Sequence, residues 1–233
     1  MKSNIHELEK NNKKMVSKKA LLFGASGFIG SHLLQELLNN EDYEQVTIIV
    51  RKNQNITHPK LKVLVGDFNS LPKLKVNIMA DDIFIALGTT KKQTPKEKEY
   101  YQIDHDYPIL AAKKAKENGA KSVFVVSSIG ADANSKVFYT RTKGELERDI
   151  IALDFEHTHI FEPSMLLGNR NESRPLEKIF INIFTVINPL FIGNLNKYKG
   201  IGGKDVAKAM NNAAKNQSEK VKIYQWKEMN SLL

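Results

Sequence analysis

The stretch KKALLFGASGFIGSHLLQELLN, Lys18 to Asn39, decides the fold. Ala20-Leu21-Leu22-Phe23 is an apolar run of strand length. Gly24, Gly27 and Gly30 follow, and Phe28, Ile29, Leu33, Leu34, Leu37 and Leu38 recur with the period of one helix face. A strand, a glycine-rich turn and a helix in that order make a cradle for a pyrophosphate. The glycines let the backbone approach the phosphate oxygens, and the helix start offers unpaired N–H groups and the positive end of its dipole. A glycine pattern alone is weak evidence, but here the flanking strand and helix supply the context the motif requires. Gly24, Ser26, Gly27, Phe28, Ile29 and Gly30 are therefore the first candidate cofactor-binding residues.

Outward from this unit the same rhythm continues. Gln45–Val50 (QVTIIV) is a β-branched run typical of a buried strand. Leu61–Val65, Ile83–Leu87, Lys121–Ser128 and Thr158–Phe161 read as further strands, and Val221–Tyr224 as a last one. Helical stretches run from Lys96 to Asn118, Val137 to Leu153 and Asp205 to Ala214. Pro108 marks a kink or a boundary between two helices in the first of these. Strands alternating with helices predict an α/β fold, a doubly wound parallel sheet. The expected organisation is one domain over residues 18–233 with a small C-terminal extension on the substrate side, preceded by a polar, disordered tail over 1–17.

Composition narrows the function. The chain has 233 residues, 41% of them hydrophobic, enough for a sizeable core, and it has no cysteine for a disulfide or thiolate metal site. No run approaches the ~18 uncharged apolar residues of a membrane span. The N-terminus lacks the apolar core of a secretory signal, which points to the cytoplasm. The net charge of +9 invites a nucleic-acid reading. Much of it, however, sits in the first 19 residues, and the rest is mixed with acid, as in Lys96-Glu97-Lys98-Glu99. No basic stripe interleaved with aromatics stands out, so no nucleic-acid partner is expected. The six histidines show no metal-ligand spacing, His157 and His159 read as structural, and Asp81-Asp82 reads as a turn. Glu177–Phe191 (EKIFINIFTVINPLF) is strongly apolar. It reads as a core-packing helix, the roof of a substrate pocket, a contact between two copies, or a lipid-facing surface.

Three sets of residues carry chemistry. Arg51 ends the second strand, where an acidic residue would hold the ribose 2′-hydroxyl of NAD; an arginine there accommodates a 2′-phosphate, and Lys52 adds a second cation. Tyr139 and Lys143 are four positions apart and share a helix face. A tyrosine hydroxyl ordinarily titrates near pH ~10, and a neighbouring ammonium favours its phenolate. The fifth strand ends in Ser127-Ser128, where a hydroxyl can bond a substrate oxygen whose charge changes during hydride transfer; Ser128 is favoured, though strand direction alone does not separate it from Ser127.

Together, Gly24-Ala-Ser-Gly27-Phe-Ile-Gly30, Ser128 and Tyr139-x-x-x-Lys143 resemble the short-chain dehydrogenase/reductase superfamily in its atypical branch. More closely, Leu87-Gly-Thr-Thr90, Ser127-Ser-Ile-Gly-Ala-Asp132 and Asn169-Arg-Asn-Glu-Ser-Arg-Pro175 resemble the Tat-interacting-protein family, over roughly residues 18 to 215. The resemblance implies a Rossmann fold, NADP(H) as cofactor in preference to NAD(H), a small-molecule substrate, and epimerase-like or oxidoreductase chemistry. It implies that Asp67 and Phe68 flank the adenine, that Leu87 and Gly88 line the ribose side, and that Pro163 lies near the nicotinamide. Glu162 departs from the arginine that relatives commonly carry before that proline. The expected roles are Tyr139 as acid/base, Lys143 as its charge partner and ribose ligand, and Ser128 as the polarising hydroxyl. The alternative is an NADPH-sensing or scaffold protein with little turnover.

Overall fold

A computed structural model describes residues 17–52, 55–67, 79–168 and 193–233. The tail, Phe68, the Asn169–Pro175 motif and the apolar segment Glu177–Phe191 lie outside the described residues. The sheet has seven strands: β1 (Lys18–Phe23), β2 (Tyr43–Val50), β3 (Leu61–Val65), β4 (Asp82–Ile85), β5 (Ser122–Val126), β6 (His157–Phe161) and β9 (Val221–Tyr224). Their order is β3-β2-β1-β4-β5-β6-β9, and every pairing is parallel. The interior strands are apolar along their length because helices cover both faces; every residue of β4 and β5 is buried. A doubly wound sheet of this order reverses direction between β1 and β4, and the crevice opens there at the C-terminal strand ends.

One face is covered by α1 (Phe28–Asn39), whose Leu33, Leu34, Leu37 and Leu38 pack with Val206 and Met210 of α5 (Gly203–Ala213). The other face carries Ala111, Ala112 and Ala115 of α3 (Tyr107–Glu117), together with Leu146 and Ile150 of α4 (Phe138–Ala152). A two-stranded ladder, β7 (Leu166–Leu167) with β8 (Ile201–Gly202), and a terminal α6 (Trp226–Asn230) complete the C-terminal part.

The stretch Lys96–Asn118, read as kinked or as two helices meeting at Pro108, is α2 (Glu97–Tyr101), a π-helical turn over Gln102–Asp106, and α3. The reason lies in Pro108: it has no N–H to give the Asp104 carbonyl in α-helical register, so the ladder widens ahead of it. Asp82 is not a turn residue. It opens β4 at 1% exposure and accepts from the Tyr43 hydroxyl (2.6 Å) and from Lys18 (3.2 Å).

An aromatic row crosses the sheet. Phe84 stacks on Phe124 at 4.6 Å and Phe124 on His159 at 4.5 Å, all in register on β4, β5 and β6. His159 Nδ1 bonds the Tyr224 hydroxyl of β9 at 2.9 Å. Burial, then the charges of His157 and Lys222, lowers the His159 pKa to about 4. The folded state therefore binds this proton more weakly than the unfolded chain does. The contribution is fully present above about pH 6.5 and is lost as pH falls toward about 4, by up to about 3 kcal/mol. Denaturant melts across that range are expected to show the loss, and His159→Phe is expected to flatten it.

Candidate active site

The glycine-rich turn is as tight as backbone allows. A Cβ on Gly30 would sit 2.0 Å from the Gly24 carbonyl oxygen, and one on Gly24, itself at φ +86°, would sit 2.4 Å from that of Ala86. Gly27 donates its N–H to Gly24 O at 2.9 Å and then caps α1 without a side chain, and the first turn of α1 carries no acid. Its leading N–H groups are thus left to an outside acceptor, which suits an anion.

Above this turn lies a cleft of about 640 Å³. Ser26, Gly27, Phe28 and Ile29 form one wall, Leu87, Gly88 and Thr89 after β4 another, and Ser127, Ser128 and Pro163 after β5 and β6 a third. Tyr139 and Lys143 reach in from α4. Tyr139 is 42% exposed at the mouth, whereas Lys143 is 5% exposed. Gly144 explains how α4 comes so near: a Cβ there would lie 2.1 Å from the Ala133 nitrogen, so the helix rests directly on the loop that follows Ser128. Asp132 N–H to Thr140 O (3.1 Å) and Ile129 N–H to Pro163 O (3.1 Å) fasten that loop at both ends.

The two serines differ in their surroundings. The Ser127 hydroxyl donates to Glu147 of α4, while the Ser128 hydroxyl makes a long 3.5 Å contact with the Ile129 carbonyl. Gly24 and Gly30 underlie the cradle rather than lining it. Arg51 and Lys52 stand exposed beyond β2, and Asp67 is exposed beyond β3; the Gly66 N–H to Val50 O bond (3.0 Å) holds these two strand ends together. They lie outside the cleft walls, at the strand ends beside the turn.

The sequence reading missed Asp104. At 1% exposure on the π-helical turn, its Oδ1 lies 2.8 Å from Lys143 Nζ and its Oδ2 accepts the Thr89 N–H at 2.8 Å. It thus ties the lysine to the loop after β4, and it faces the cleft. Gln93, His32 and Ser164 also line the cleft and were not singled out, and Thr89 and Thr90, quoted only as part of a motif, line it too. The one local trace of this arrangement is Pro108, four residues on, ahead of which the helix widens; the pairing with Lys143 has no trace in the sequence.

A family model described as NAD(P)H-binding matches residues 24–174. The chain belongs to the NAD(P)H-binding family. Its uncapped helix start and glycine cradle fit a dinucleotide's pyrophosphate. It is 37% identical over 158 residues to "Protein FMP52, mitochondrial" of Candida glabrata, covering 68% of either chain. It is 34% identical over 168 residues to "Protein HTATIP2" of Rattus norvegicus, covering 70% of this chain and 69% of that one. The latter bears out the resemblance to the Tat-interacting proteins. In fold it is similar to MoeE5 in complex with UDP-glucose and NAD, at TM-score 0.66 and 18% identity, covering 91% of this chain and 80% of that one. This likeness bears out the Rossmann-type sheet.

The cytoplasmic expectation is corrected. Relatives from five fungi are named as mitochondrial proteins. The expectation rested on a missing secretory core, and that test does not bear on mitochondrial delivery. Among the described residues no helix is long and apolar enough to cross a membrane.

Proposed function

We propose that this NAD(P)H-binding protein is an oxidoreductase of the atypical short-chain type that prefers NADP(H) and interconverts a small carbonyl and its alcohol. The observation that carries the reading is the convergence of Ser128, Tyr139 and Lys143 on one cleft whose floor is an uncapped helix start. The bound cofactor supplies the hydride. Ser128, whose hydroxyl has no short partner among the described residues, donates to the carbonyl oxygen and holds it. Tyr139, at the mouth, gives the same oxygen its proton, completing the alcohol. The Lys143 ammonium stabilises the negative charge left on the tyrosine oxygen and would hold the nicotinamide ribose of a bound cofactor. Asp104 keeps that ammonium in place from below. We infer that the protein follows its relatives to the mitochondrion, which fractionation of the tagged protein tests.

Cofactor preference is read from Arg51 and Lys52. Calorimetric titration is expected to show NADPH binding more tightly than NADH by about tenfold or more, since charge-assisted bonds to phosphate contribute about 1.5–3 kcal/mol. Arg51→Ala is expected to remove most of that difference while leaving NADH affinity nearly unchanged. Equal affinities in the parent would overturn the preference.

A further inference from the structure

Behind the cleft wall, near the ends of β5 and β6, two carboxylates lie close enough for the charge of one to act on the other. Glu147 lies one helical turn beyond Lys143 on α4, and its Oε1 takes the hydrogen of Ser127, which faces the cleft at 4% exposure. Glu162, 6% exposed, follows β6 just before Pro163, and its Oε2 accepts from Gln225 Nε2 at 2.8 Å. Among the described residues neither glutamate forms an ion pair. The groups that face Glu147 are the Ser127 hydroxyl beyond β5, Glu162 beyond β6, and Lys143 on its own helix; Lys197 acts on Glu162 from the 3-10 turn Gly193–Tyr198. A neighbouring like charge disfavours the ionised form of each carboxyl.

We propose that Glu147 is a positioning residue that gains and loses a proton at the cleft wall and thereby reverses its hydrogen bond with Ser127. When Glu147 is ionised, Ser127 must donate to it, and the hydroxyl turns its lone pairs toward the cleft. When Glu147 is protonated, the carboxyl donates to Ser127 Oγ, and the serine hydrogen is free for a ligand's carbonyl oxygen. The proton is exchanged with solvent, since Glu147 is partly exposed, and no other bond changes. Burial first, then the charge of Glu162, pushes the Glu147 pKa up to about 7, against the opposing pull of Ser127 and Lys143. The switch thus operates near neutrality. It adds a second, pH-gated donor beside Ser128, and its link to turnover rests on the oxidoreductase reading.

The test begins without a substrate. Carboxyl carbon NMR of the full chain with labelled glutamate is expected to show a signal titrating near pH ~7 that disappears in Glu147→Gln. In Ser127→Ala that midpoint is expected to move upward, because the hydroxyl that favours the ionised form is gone. A Glu147 midpoint in the ordinary range, near ~4.3, or one unmoved by Ser127→Ala, overturns the proposal whether or not a substrate is known. Since a raised folded-state carboxyl pKa removes stability as pH rises, the melting-temperature advantage of Glu147→Gln over the parent is expected to grow from about pH 4.3 to about pH 7 and to level off above. With a turned-over carbonyl in hand, kcat/KM of the parent is expected to fall as pH rises through about 7. Glu147→Gln, whose amide can donate permanently to Ser127, is expected to flatten that limb. Identical profiles for parent and variant overturn the positioning role. Absence of turnover in both, with the NMR behaviour as described, instead counts against the oxidoreductase reading.

Discussion

Tyr139→Phe is expected to lower turnover of a carbonyl substrate by about 10²-fold or more, the usual scale for a positioned acid–base group. The substitution removes one hydroxyl and keeps the ring, so the fold and the affinity for NADPH are expected to stay nearly unchanged. Tyr139 is 42% exposed at the cleft mouth, which leaves little packing to disturb. Lys143→Ala is expected to behave differently. It removes the cation proposed to serve Tyr139 and also strands Asp104, a carboxylate at 1% exposure, without its ion-pair partner. Breaking a buried pair from one side costs about 3–5 kcal/mol, so this variant is expected to lose stability as well as activity. A quiet Tyr139→Phe beside a disruptive Lys143→Ala would separate the proposed proton donor from the residue proposed to hold its charge, and thermal melts alongside rates read both.

Gly30→Ala is expected to have a large structural effect for a single methyl group. The added carbon would lie 2.0 Å from the Gly24 carbonyl oxygen and 2.7 Å from its carbon, and both belong to backbone that cannot swing away. Gly24 is itself pressed against Ala86 at the end of β4, so the turn has no direction in which to yield. Overpacking of this kind costs about 1–3 kcal/mol or more, a fall in melting temperature of roughly 2–12 °C for a chain of this size. NADPH affinity is expected to fall further than stability alone would require, because the displaced turn carries the N–H groups left for the pyrophosphate. Gly119, at the end of α3, is the control: its Cβ position meets nothing within 4 Å, but its φ of +94° makes alanine strained. Gly119→Ala is therefore expected to lower stability modestly and leave NADPH affinity unchanged.

What could be read in the chain followed local rules. The strand–turn–helix of Lys18–Asn39 repeats at two fixed periods, and its glycines are spaced for one geometry, so the cradle is visible before folding. Tyr139 and Lys143 are legible for the same reason: four residues on one helix always share a face. Asp104 was not, because its meaning comes from Lys143, 39 positions away, and from a widened helical turn that one proline enforces. Glu147 is similar; nothing beside it in sequence announces that Ser127 and Glu162 will surround it. The ladder of Leu166–Leu167 with Ile201–Gly202 has strands of two residues, too short for any periodicity to show. Asp82 looked like a turn beside Asp81, since its burial depends on Tyr43 and Lys18 arriving from other strands. Location failed for another reason: a missing secretory core says nothing about the other routes a chain can take.

The central claim is that this cleft reduces carbonyls rather than merely holding a dinucleotide. The measurement that tests it most directly is NADPH consumption by the purified full chain, followed optically, across a panel of small aldehydes, ketones and nucleotide sugars. The account predicts at least one compound that drives consumption above the rate without it, with that excess lost in Tyr139→Phe. Tight NADPH binding with no consumption across the panel, or an excess that Tyr139→Phe retains, would contradict it.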